Sequence, residues 1–178
     1  MNEGLVIEGI GELSEAWKTN PVLIIQHADK QPPHIALGFE GRYFSVSVKK
    51  VEAGSELSSR INSLQKLNVL SLLFMLCDPL HEILTPDVSA VFSAYKPLQP
   101  GETCLAPVLD FFRIAYSISP AKPLVFGLLE ELYASKCVAS VEQIGFSDES
   151  LVNGSFVLKY YTCEVVQERI EALINKKS

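Results

Sequence analysis

The stretch Pro33-His34-Ile35-Ala36-Leu37-Gly38-Phe39-Glu40-Gly41-Arg42-Tyr43-Phe44-Ser45-Val46-Ser47-Val48 decides the fold. An apolar run meets a Glu-Gly pair, and a second run follows in which serines separate Tyr43/Phe44, Val46 and Val48. Aromatic and β-branched residues on both sides of a glycine turn predict a β-hairpin over residues 34–48. Upstream, Pro21-Val22-Leu23-Ile24-Ile25-Gln26-His27 is a short β-branched run and predicts a buried strand. Asp29-Lys30-Gln31-Pro32-Pro33 between them is a loop, because a residue before proline is pushed out of helical geometry.

Downstream of the hairpin, a polar turn around Gly54-Ser55 leads to apolar residues at 57, 61, 64 and 67, the spacing of a short helix with Ser55 as its N-cap. Asn68 to Cys77 predicts a further strand, although period alone leaves a buried helix open. Thr85-Pro86-Asp87 opens a helix over 88–95, with Thr85 capping and Pro86 at the tolerated first position. An amphipathic helix then runs to Tyr116 from one of two starts. With Thr103 as cap, Cys104 lies in the first turn; with Ala106 as cap, Cys104 sits in the preceding loop. Either way the thiol lies near the positive end of a helix.

Ser119-Pro120-Ala121-Lys122-Pro123 is the best internal boundary, giving a core over 1–120 and an extension over 121–178. The extension reads as a helix (124–135), a strand (138–146), the acidic turn Ser147-Asp148-Glu149-Ser150, Asn153-Gly154, a strand (155–161) and a last helix opening at Thr162. Asn153-Gly154 suits a tight turn, but its flanking strands stand too far apart for a minimal hairpin. The sum is an α+β chain: an antiparallel sheet packed with helices. Near the N-terminus, Gly9-x-Gly11 lacks the third glycine of a dinucleotide fingerprint, since Ser14 stands there, so turn or strand-edge glycines are the better reading.

Composition narrows the function classes. A hydrophobic share of 48% in 178 residues is ample for a packed core. Fifteen basic against twenty-one acidic residues, with no basic cluster beyond Lys49-Lys50 and Lys176-Lys177, argue against nucleic acid or an anionic membrane as partner. No apolar run approaches the ~20 residues that span a bilayer. Met1-Asn2-Glu3-Gly4 opens no secretory leader, so the expectation is a cytoplasmic protein with free thiols.

Two residue sets could carry chemistry. Cys104 at a helix head becomes a nucleophile if the helix favours its thiolate and a histidine such as His34 arrives as base; otherwise it is a small buried hydrophobe. Cys77-Asp78-Pro79-Leu80-His81-Glu82 packs metal-capable side chains together, but the sequence offers no further ligands at zinc spacing, so no metal or other cofactor is expected. Cys163 stands beside Glu164, which disfavours a thiolate and points to a structural role. The pairs Glu130-Glu131 and Asp148-Glu149 read as solvated faces.

The order strand, loop, His34-led apolar strand, glycine turn and aromatic-bearing strand resembles the histidine hairpin of NlpC-type papain-like hydrolases. Histidine before cysteine, with a strand and a helix between, is similar to the circularly permuted members that include lecithin:retinol acyltransferase-like enzymes. The resemblance spans roughly residues 20–116. It implies a permuted papain-like core in which Cys104 attacks an amide or ester of a small-molecule or peptide substrate, forming an acyl-cysteine, with His34 as general base. Only Ser45 and Ser47 stand where that family carries a polar orienting residue, which motivates the alternative of a non-catalytic protein-interaction module on a degenerate papain-like or other α+β scaffold. A small-ligand binder using the hairpin face is a third reading.

Overall fold

The computed structural model describes residues 4–147 and 149–176. The leader reading at Met1-Asn2-Glu3, Asp148 of the acidic turn and Lys177 of the basic end lie outside the described residues. In chain order the elements are β1 (Gly4–Ile7), β2 (Ile10–Glu12), a 3-10 turn (Ala16–Lys18), β3 (Val22–Gln26), β4 (His34–Phe39), β5 (Arg42–Val46) and β6 (Val51–Glu56). There follow α1 (Leu57–Lys66), β7 (Ser71–Leu76), α2 (Thr85–Ser93), α3 (Ala106–Tyr116), α4 (Val125–Ala134), β8 (Val138–Ile144), β9 (Phe156–Lys159) and α5 (Cys163–Asn175). The fold is α+β.

The expected hairpin is β4–β5, with Leu37 opposite Phe44 and Phe39 opposite Arg42. Glu40 and Gly41 close it with φ of 46° and 72°, the left-handed pair that a two-residue turn between twisted strands requires. A seven-stranded sheet grows from it in the order β2-β8-β7-β3-β4-β5-β6, antiparallel except for the parallel β2–β8 contact. A separate pair joins β1 to β9. The last third of the chain therefore supplies an interior strand: β8, beyond the expected boundary at 119–123, hydrogen bonds to β7 and β2 within the main sheet.

The continuous apolar runs are explained by burial on both faces. Leu23, Ile25, Leu72, Phe74 and Leu76 enter the larger core with α2, α3 and α4. Their alternating neighbours Val22, Ile24, Leu73 and Met75 enter a smaller core beneath α1, with Leu57, Ile61 and Leu64. Helix α1 thus covers one face, and the remaining helices cover the other.

Several local expectations are corrected. The polar stretch at 51–56 is strand β6, held by backbone pairing to β5, and Ser55 lies within it opposite Tyr43. Glu56 occupies the N-cap of α1 instead, its carboxylate accepting the hydroxyls of Ser58 (2.6 Å) and Ser59 (2.9 Å). Leu84, not Thr85, is the N-cap of α2, where Asp87 accepts the Leu84 N–H at 3.0 Å. Asn153-Gly154 does form a tight two-residue turn, but it closes a single bridge between Val152 and Ser155.

Candidate functional site

The start of β4 is where the sheet opens. His34 and Ile35 pair with Gln26 and Ile25 of β3, whereas pairing to β5 begins only at Leu37. A cavity of about 290 Å³ lies beside this gap. One wall is β4 at His34 and Ile35 with the turn Ser47-Val48-Lys49; the opposite wall is Thr103-Cys104-Leu105 ahead of α3. Leu98, Leu124 and Tyr161 add apolar surface.

Helix α5 covers the cavity with Val166, Ile170 and Leu173, spaced i, i+4, i+7 on one face. Its position is fixed by side chains: the Gly101 N–H donates to Gln167 Oε1 at 2.6 Å, and Gln167 Nε2 donates to the Glu102 carbonyl at 3.4 Å. Tyr161 is held by the ring of Phe126, 4.9 Å away between centroids, and burial pushes its hydroxyl pKa well above the usual range.

Cys104 falls in the turn before α3, with Leu105 as N-cap and Pro107 in the first helical turn. The thiol packs against the larger core. Burial pushes its pKa up, and the nearby backbone N–H groups of Ile35 and of Cys104 itself pull the other way; burial prevails. The helix-head position therefore leaves this cysteine a thiol at neutral pH.

His34 also belongs to the cavity wall, but strand alternation aims its side chain elsewhere. Ile35 and Leu37 enter the larger core with Cys104, whereas Ala36 enters the core beneath α1. His34 stands opposite Gln26 in register, and opposed residues share a face. On that face Gln26 Nε2 donates to the Tyr43 hydroxyl at 2.6 Å, and the Arg60 guanidinium lies 4.6 Å over the Tyr43 ring. Arg60 pairs with Glu52 at 2.6 Å.

The pKa of His34 is pushed down to about 4, first by burial, then by the charges of Arg60 and His27, with Glu52 pulling it back up. Cys104 and His34 thus line one cavity, the thiol packed on the face of β4 that carries Ile35 and the imidazole on the face that carries Ala36. No hydrogen bond joins them among the described residues.

Elsewhere, His81 Nε2 bonds Ser117 Oγ at 2.7 Å and Cys77 lies exposed at the end of β7. Among the described residues no group of three or more His, Cys, Asp or Glu side chains could hold a metal ion. No helix among them is long and apolar enough to cross a membrane. Cys163 is exposed at the first position of α5, and Glu130 pairs with Lys122 at 2.7 Å.

Most of the cavity wall carries no local signal in the sequence. The stripe on α5 was legible as a period, but the basic residues at the mouth, Lys30, Lys49 and Arg169, are scattered and carried no local signal. Comparison with known protein families, with curated proteins and with solved structures finds no match in any of the three. What fold and site define together is an α+β protein with an apolar cavity at the open end of its sheet.

Proposed function

We propose that this protein is a small-molecule-binding domain whose apolar guest occupies the cavity between β4, the turn before α3, and α5. The observation that carries the reading is the enclosure of about 290 Å³ by Ile35, Leu98, Leu105, Ile170 and Leu173 under an amphipathic helix. A sealed void of that size would cost roughly 7 kcal/mol at about 24 cal/mol per Å³. That is an upper figure, since the cavity opens at its mouth, yet it is comparable to a whole domain's stability. A guest restores contacts that an empty cavity forgoes.

Size bounds the guest. At about 30 Å³ per non-hydrogen atom, the share a water takes in the liquid, the space admits roughly ten such atoms. Eight buried methylenes at about 0.8 kcal/mol each supply about 6 kcal/mol before association costs, which places affinity in the range of tens of micromolar or weaker.

The acyl-cysteine chemistry implied by the papain-like resemblance is less well supported. Burial pushes the Cys104 thiol up and the His34 imidazole down, so moving a proton from the first to the second is uphill before any bond is made. A neutral thiol in an apolar wall suits a binding site.

The test is methyl NMR titration with 1-octanol. Binding predicts saturable shifts concentrated at Ile35, Leu98, Leu105, Ile170 and Leu173. Absence of saturation, or shifts spread over surface methyls, overturns the reading. Turnover of an octanoyl thioester or ester that disappears in Cys104→Ser would restore the hydrolase.

A further inference from the structure

We infer that the cavity's guest is a medium-chain carboxylate, its tail under α5 and its anionic head at the mouth between Lys30, Lys49 and Arg169; this rests on the binding reading above. The chain as a whole is acidic, with 21 Asp and Glu against 15 Lys and Arg. At this mouth the balance inverts: among the described residues, Lys30, Lys49 and Arg169 belong to the cavity lining and no Asp or Glu does. They come from three separate places, the loop before β4, the turn after β5 and the second turn of α5, so only the folded chain assembles them.

Among the described residues none of the three is paired with a carboxylate of the protein. The ion pairs among the described residues use Lys18, Lys50, Arg60, Arg113 and Lys122. Two of them, Lys30 and Arg169, act together on His27, which lines the same cavity. Its pKa is lowered first by burial and then by Lys30 and Arg169, with the exposed Asp29 beside it the opposing charge. A solvated cation facing an apolar cavity with no acidic wall leaves its charge available to whatever enters. A guanidinium offers paired donors that match a carboxylate, and the two ammonium groups add point charges around it.

The apolar depth excludes a highly charged guest, because a multiply ionised molecule would leave charge in hydrocarbon surroundings. One charge and an aliphatic tail satisfy both regions. With room for roughly ten non-hydrogen atoms, the tail is on the order of eight carbons, and octanoate is the matching probe.

The experiment is calorimetric or NMR titration of the intact protein at pH 7.5 with octanoate, 1-octanol and octylamine. Octanoate is expected to bind at least tenfold more tightly than octanol in 20 mM salt, with octylamine weakest, and the gap is expected to narrow in 300 mM salt as the rim is screened. The exposed-site variant Lys30→Gln/Lys49→Gln/Arg169→Gln is expected to lose the octanoate advantage. Equal binding of octanoate and octanol, a preference for octylamine, or an octanoate preference that survives the triple substitution overturns the head-group assignment while the cavity reading stands. Failure of all three probes to bind overturns both.

Discussion

Cys104 and Ile35, the residue next to His34 on the same strand, line one cavity and pack in the same core. The thiol lies on the Ile35 side of the strand, away from the imidazole, and burial holds its proton on. Iodoacetamide labelling of the native protein at pH 7.5 is therefore expected to modify exposed Cys77 and Cys163 first, with Cys104 slower by about tenfold or more. Quantitative peptide mapping measures this. Preferential alkylation of Cys104 at neutral pH would mean its thiolate is favoured after all.

His34 gives the fold a pH dependence of definite sign. Its folded pKa of about 4 lies below the ordinary 6.5, so between those values the unfolded chain binds more protons and stability falls as the solution is acidified. From pH 7.5 to pH 5 the loss from this group is about 2 kcal/mol, and half-exposed His27, also lowered, adds to it in the same direction. Urea unfolding across that range should show the slope, and His34→Gln should flatten it. Replacing Arg60 by Met removes a charge that depresses His34, so the ring titration followed by NMR should move upward from about 4. A His34 titrating near 6.5 in the wild-type protein would refute this.

How much of this was legible depended on whether the signal was local. The β4–β5 hairpin was, because Glu40-Gly41 supplies its own left-handed turn and the flanking residues alternate. Strand β6 was not, since Val51-Glu52-Ala53-Gly54-Ser55-Glu56 offers only Val51 and the small Ala53 to the core, and its pairing to β5 completes the strand. The insertion of β8 between β2 and β7 joins residues about seventy and one hundred and thirty positions apart, a choice made by the whole core. The two-residue period of β4 already separates His34 from Ile35, yet which face meets α3 depended on where α1 would land. The charged mouth is a product of assembly alone.

Helix α1 lies so close to the sheet that Gly38 has no room for a side chain. A Cβ there would stand 2.5 Å from Val22 Cγ1 and 2.8 Å from Leu57 Cδ2. Both neighbours are fully buried, so neither can step aside into solvent. Gly38→Ala is expected to destabilise by about 1–3 kcal/mol, the usual cost of overpacking. Denaturant titration should show a lower midpoint with an unchanged slope. A neutral substitution would mean that α1 can lift from β4.

Two residues on one face of α5 should respond in opposite ways. Ile170 is 5% exposed and packs in the larger core, so Ile170→Ala removes buried contacts and should cost about 2–4 kcal/mol, with the cavity enlarged. Leu173, one turn on, is only partly buried and borders existing empty space. Leu173→Trp can place its added ring in that space without displacing packed atoms, so stability should hold or rise while 1-octanol affinity falls by about tenfold or more, the loss of roughly 1.4 kcal/mol of contact. Paired thermal unfolding and methyl NMR titrations on the two variants distinguish a ligand cavity from a mere packing defect. If Leu173→Trp unfolds the protein, or leaves octanol binding untouched, the helix does not cover the guest.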